Sequence, residues 1–131
     1  MKVLVVDDTL DIANTLAFLL RNWGHEAEFA VNGHAALTIA QRQRPDVIFL
    51  DLGLPDFEGF TLARRLRTTP ELAASRIIAI TGRTSDDDES RAIEAGCERL
   101  LRKPIDPAFV QDLVSGKVSQ PEKLLRFPRK R

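Results

Sequence analysis

Short apolar runs recur along the chain, separated by stretches whose apolar residues fall every three or four positions. The first run, Lys2–Val6, is β-branched and stops at Asp7-Asp8, which predicts a buried strand. Ile12, Leu16, Leu19, Leu20 and Trp23 follow at helical spacing, predicting a helix over Leu10–Trp23 that Gly24 ends. Phe18 lies about 200° around that helix from Leu16 and so should face solvent. Glu26–Ala30 reads as a second strand, Asn32-Gly33 as a turn, and His34–Gln43 as a helix ended by Pro45. Val47–Leu50 is a third strand that stops at Asp51, and the loop Gly53–Gly59 leads into a helix over Phe60–Arg67. Ile77–Ile80 is a fourth, stopping at Thr81-Gly82. A helix over Asp86–Ala95 follows, with three aspartates in its first turn, where the dipole is positive. Arg99–Leu101 is a short fifth strand, followed by Lys103-Pro104 and a last helix over Pro107–Ser115. This repeated alternation predicts a parallel sheet with helices on both faces and right-handed connections.

On that reading Asp7-Asp8, Asp51, Thr81 and Lys103 all fall at C-terminal strand ends, the edge where open α/β sheets bind ligands. Three neighbouring carboxylates repel one another, and a divalent cation relieves that repulsion. Oxygen-only ligands suit Mg²⁺, which takes one or two carboxylates together with phosphate oxygens. A lysine and a hydroxyl beside them can hold the remaining oxygens of a phosphoryl group, and an aspartate can serve as its acceptor. Taken singly, each residue has a plainer reading. Asp7-Asp8 fits an anion pair at a helix N-terminus, Lys103 a surface lysine before a proline turn, and Thr81 a cap. Their convergence on one edge is what favours a site. Asp56 and Glu58 are assigned to the loop and the next helix, His25 and His34 to the surface, and Cys97 to inert packing.

Composition narrows the setting. The 131 residues suit one domain, and with 44% hydrophobic and 29% charged residues they are ordinary for a globular protein. No apolar run approaches a membrane span and no signal peptide is visible, so no membrane association is expected. The single cysteine rules out a disulfide framework and points to a reducing compartment, so the expected location is cytoplasmic. Lys and Arg total 19, as do Asp and Glu. Residues 117–131 hold six of the basic and one of the acidic, so the remainder holds 13 and 18 and carries a net −5. That tail reads as a short basic chain end, and nucleic-acid binding is not expected of it.

The motifs V-L-V-V-D-D at 3–8, D-L-G-L-P-D-F-E-G at 51–59, T-G at 81–82 and K-P at 103–104 resemble the receiver domain of bacterial response regulators, the CheY-like family. The resemblance spans about residues 1–116. It implies a flavodoxin-like (βα)5 doubly wound parallel sheet with strand order 2-1-3-4-5. It also implies a single-domain response regulator, which Met1 supports, rather than an enzyme beyond its own phosphorylation and dephosphorylation. Asp51 would be the phosphoacceptor, fed by a histidine kinase or a histidine phosphotransfer protein. Mg²⁺, or Mn²⁺ in its place, would sit on Asp8, Asp51 and the Gly53 carbonyl, with Asp7 acting through water. Lys103 and Thr81 would bind the phosphoryl oxygens, helped by the N–H groups of Leu52 and Gly82, and Pro104 would follow a cis bond. Asp11, Ile12, Thr15 and Phe18 on the first helix would form a partner surface, and a downstream protein target would read the switch. The alternatives are a degenerate receiver used as a constitutive interaction module and a Mg²⁺-dependent phosphatase. The intact acidic pocket opposes the first. Gly53, standing where such phosphatases place a second Asp, opposes the other.

One position departs from the family pattern. Three residues before Lys103 the family has Tyr or Phe, a ring that turns inward on activation; here it is Leu100. Output is therefore expected not to depend on an inward-turning residue at 100. Leu100→Ala should keep both phosphorylation and partner response, measured side by side; retained phosphorylation with the partner response abolished would overturn this.

Overall fold

The computed structural model describes residues 1–82 and 87–116. Five strands, β1 (Lys2–Val6), β2 (Glu26–Ala30), β3 (Val47–Asp51), β4 (Arg76–Thr81) and β5 (Arg99–Arg102), alternate with five helices. These are α1 (Leu10–Asn22), α2 (Gly33–Gln43), α3 (Gly59–Thr68), α4 (Asp88–Glu94) and α5 (Pro107–Ser115). A 3-10 turn at Pro70–Leu72, absent from the sequence expectation, joins α3 to β4. All neighbouring strands are parallel, in the order β2-β1-β3-β4-β5. This is the flavodoxin-like order expected. No described helix is long and apolar enough to cross a membrane.

The pleat explains why the strand runs are apolar throughout. Successive side chains point to opposite faces, and both faces are covered. Val3, Val5, Val47, Phe49, Ile78 and Ile80 pack with Ala13, Leu16, Ala17 and Leu20 of α1 and with Val110, Leu113 and Val114 of α5. Leu4, Val6, Ile48, Leu50, Ile77 and Ala79 pack on the other face with Ala36 and Ala40 of α2, Leu62, Ala63 and Leu66 of α3, and Ala92 of α4. Two layers of helix on one sheet leave the strand ends as the place where polar side chains can gather.

Several local expectations are corrected. Ile12 shares the helical spacing of the core residues and is also expected on a partner surface; it is 43% exposed. The inner face is Ala13, Leu16, Ala17 and Leu20, because two alanines let the helix lie close to the sheet and turn the larger Ile12 outward. Phe18 is 58% exposed, as the helical wheel requires, and Trp23 follows the helix as its half-buried C-cap. Asn32-Gly33 is a helix start rather than a turn, because the Asn32 side chain accepts a hydrogen bond from the Ala35 N–H at 2.8 Å. At α4 the cap is Asp87, and the acids of the first turn are Asp88 and Glu89; Asp86 lies outside the described residues, as does the tail from Lys117.

Asp56 also differs. It does not serve α3, whose N-cap is Glu58, accepting from the Thr61 N–H at 3.0 Å. Asp56 reaches across to the N-terminus of α2 instead. It accepts from the Gly33 N–H at 2.8 Å, from the His34 N–H at 3.0 Å, and pairs with His34 Nδ1 at 2.6 Å. Desolvation pushes the Asp56 carboxyl up, but these hydrogen bonds outweigh it and hold the group down at about 2 against an ordinary 3.8. A depressed carboxyl stabilises the fold above its unfolded value and loses that contribution as pH falls toward the folded value. Asp56→Ala should therefore be less stable than the parent at about pH 5, and the gap should narrow as pH falls from about 4 toward about 2. Urea denaturation across that range checks this; a gap that stays constant would show that the ionised carboxylate is not the source.

Candidate functional site

Three carboxylates meet where β1 and β3 end. Asp7 directly follows Val6, which pairs with Leu50, and Asp51 is the last residue of β3, so register alone sets the two side by side. One carboxylate oxygen from each of Asp7, Asp8 and Asp51 lies within 4.8 Å of the others. Asp7 and Asp51 are buried, while Asp8 opens to solvent. Each buried acid is held at both oxygens. Asp7 Oδ1 accepts the Thr9 N–H at 2.9 Å and Asp51 Oδ1 accepts the Gly53 N–H at 3.0 Å. Their Oδ2 atoms both face Lys103 Nζ, at 3.3 Å from Asp7 and 3.1 Å from Asp51.

Lys103 comes from the end of β5, next to β4. Its own N–H continues the sheet by donating to the Thr81 carbonyl at 2.9 Å. Burial works against its charge, but the hydrogen bond and field of Asp51, with those of Asp7, prevail and raise its pKa above the usual lysine value. The ammonium is therefore a fixed cation bridging two anions. Thr81 ends β4, half-buried, in register with Arg102. Gly82 beyond it is exposed, and a side chain there would meet nothing within 4 Å. The set can hold a hard cation on oxygen ligands, with an ammonium against the two buried carboxylates and a threonine at the end of the neighbouring strand.

The Leu52 N–H, expected to face that group, does not. It donates to the Ile80 carbonyl at 2.8 Å and so extends the β3–β4 ladder. The loop amide that reaches Asp51 is that of Gly53, one residue on. The Lys103–Pro104 bond is cis. Leu100 pairs with Ala79 and is half-buried against the core beneath α2, α3 and α4. A cleft of about 590 Å³ runs beside the acidic cluster, lined by Asp11, Ile12 and Thr15 of α1 and by Pro104, Ile105 and Pro107. Three of the four α1 residues expected on a partner surface line it. Phe18 does not, although it is exposed on the same helix. The part of Ile105 and Pro107 was missed because only the fold brings the β5–α5 loop against α1.

The family model of the response regulator receiver domain matches residues 3–115. An uncharacterized 14.6 kDa protein of Leptolyngbya boryana is 34% identical over 114 residues, covering 87% of each chain. The chemotaxis response regulator CheY4 of Vibrio cholerae superposes with a TM-score of 0.80 at 30% identity, covering 89% of this chain and 98% of that one. A response regulator of Burkholderia pseudomallei, solved with a phosphorylated aspartic acid and a calcium ion, superposes with a TM-score of 0.78 at 29% identity, covering 85% and 64%. The polar-differentiation response regulator DivK of Brucella anthropi is 32% identical over 115 residues, covering 87% of this chain and 94% of that one, whereas several other curated relatives are longer proteins, of which the chain spans between 13% and 48%.

Lys103 offers a direct test of the electrostatics. Lys103→Met leaves two buried carboxylates facing each other without their cation, which should cost about 1–3 kcal/mol at neutral pH. Adding Asp7→Asn to Lys103→Met removes one of the two facing carboxylates and should recover part of the loss. Urea denaturation of the single and double variants reads this, and a double variant no more stable than Lys103→Met would contradict it.

Proposed function

The chain belongs to the response regulator receiver domain family, the switch modules of two-component signalling, and we propose that Asp51 accepts a phosphoryl group from a phosphohistidine. The observation that carries this reading is the double engagement of Asp51, with Gly53 N–H on one oxygen and Lys103 on the other, beside two further acids. An Asp51 oxygen attacks phosphorus, the P–O bond forms, and the P–N bond to the donor imidazole breaks. Lys103 then exchanges its contact with Asp51 Oδ2 for one with a phosphoryl oxygen, so the positive charge needs little reorganisation. The Thr81 hydroxyl and the Gly82 N–H supply donors from the end of β4, and movement of Thr81 toward the phosphoryl group is the conformational signal.

The residues present fit a divalent cation, since three carboxylate oxygens converge without a nitrogen or sulfur donor. Asp8, Asp51 and the Gly53 carbonyl would hold Mg²⁺, or Mn²⁺, with Asp7 behind a water. When bound, the ion neutralises charge on the transferring group. We read residues 1–116 as the receiver and 117–131 as its basic tail. The cleft beside α1, with Asp11, Ile12, Thr15 and the nearby Phe18, would receive the histidine-bearing helices of a kinase or phosphotransfer protein, and a downstream protein would read the switched state. The chain's own chemistry would be limited to gaining and losing the phosphoryl group.

Incubation with Mg²⁺ and acetyl phosphate should add the mass of one phosphoryl group to the parent and none to Asp51→Asn. Asp8→Ala should slow the gain at least tenfold. Equal gain in the parent and Asp51→Asn would reject Asp51 as the acceptor. No gain in either would favour a constitutive interaction module.

A further inference from the structure

The loop between Asp51 and α3 is tied down far from the site, and the tie has a consequence for the metal. Gly53 works at the site with both its backbone groups: its N–H holds Asp51 Oδ1, and its carbonyl is read above as a cation ligand. Glycine imposes little of its own on backbone direction, so its neighbours must set where that carbonyl points. On the near side, Leu52 is held by its N–H on Ile80, and it packs so closely on Gly59 that any side chain at 59 would overlap it. On the far side, Leu54 is buried, only 8% exposed. Beyond it, Asp56 sits on the N-terminus of α2 with three hydrogen bonds. Phe57 closes the tie. Its ring covers Gly33 so tightly that a side chain at 33 would strike it, and it meets the His34 ring at a centroid distance of 5.0 Å.

Helix α2 carries no site residue, but it packs through Ala36 and Ala40 on the sheet face that includes Leu4 and Val6 of β1. That strand ends at Asp7 and Asp8. The tie therefore sets the Gly53 carbonyl against the same body that carries the other ligands. We infer that Asp56 is a positioning residue for cation binding: anchored on α2, it fixes the β3–α3 loop so that the Gly53 carbonyl stands at the distance the carboxylates of Asp8 and Asp51 require. This rests on the proposed metal-assisted reading of the site. A purely local role as a helix cap is the competing account, but α2 already has its own cap in Asn32, which serves a different donor, the Ala35 N–H.

The test compares metal affinity with stability. Mg²⁺ affinity is measured by calorimetry, and phosphorylation by acetyl phosphate is followed at limiting and saturating Mg²⁺. Asp56→Ala should weaken Mg²⁺ binding about tenfold, as loss of a ligand's supporting partner does, while the rate at saturating Mg²⁺ changes less than about twofold. Asp56→Asn keeps one acceptor oxygen for the α2 donors and should recover much of the affinity. Gly33→Ala displaces Phe57 without altering the Asp56 carboxylate and should weaken Mg²⁺ in the same direction, which keeps the test alive if Asp56→Ala folds poorly. Gly96→Ala is the control. Its φ of +102 and the nearby Arg67 side chain make it destabilising, but far from the loop, so its Mg²⁺ affinity should stay within about twofold of the parent. An Asp56→Ala protein that is less stable but binds Mg²⁺ as the parent does would overturn the positioning role and leave the site reading standing. A parent that neither binds Mg²⁺ nor gains a phosphoryl group would overturn both.

Discussion

Two buried carboxylates facing each other at the end of a sheet would ordinarily force one of them to take up a proton. Here the edge is organised around relieving that repulsion. Lys103 Nζ bridges Asp7 and Asp51, and the backbone N–H groups of Thr9 and Gly53 hold the oxygens that Lys103 does not. The arrangement leaves both acids pinned, and it leaves Asp8 open to solvent beside them. A site poised in this way can exchange one neutralising partner for another. In the proposed reaction Lys103 would give up part of its contact with Asp51 to the incoming anionic group while a cation took up the acidic side.

The topology makes this possible. In a parallel sheet every strand points its C-terminal end the same way, so β1, β3, β4 and β5 deliver Asp7, Asp51, Thr81 and Lys103 to one edge although 96 positions separate the first from the last. The apolar strand interiors and the helices on both faces shield the site from below. That keeps the dielectric around Asp7 and Asp51 low and the Lys103 bridge strong.

The surfaces differ in how they are tied to the chemistry. The cleft by α1 is lined in part by Lys103, whose Nζ also contacts Asp7 and Asp51, so the cleft adjoins the acidic cluster. The β3–α3 loop is tied instead to α2, through Asp56 and Phe57. Leu100 is half-buried against the core beneath α2, α3 and α4, and it carries neither a ring nor a hydroxyl.

The amino-acid pattern by itself determined the five βα units, the burial of both sheet faces, and the five polar residues of the site. Strand runs that are apolar without alternation imply cover on both sides, and carboxylates, a threonine and a lysine placed just beyond them have no place in a core. Pattern could not decide matters that depend on which segments touch. Helical spacing alone does not separate Ile12 from the core residues of α1, because it counts apolar residues without their sizes, whereas the sheet admits Ala13 and Ala17. Leu52 read as a site amide because the sequence does not show where the β3–β4 ladder ends; the Gly53 N–H takes that place. Asp56 read as a neighbour of its own helix, but its partners lie 22 and 23 residues away in the chain, at the start of α2. A hydrogen bond over that separation leaves no periodicity in a sequence. Only the folded packing of the β3–α3 loop against α2 sets it.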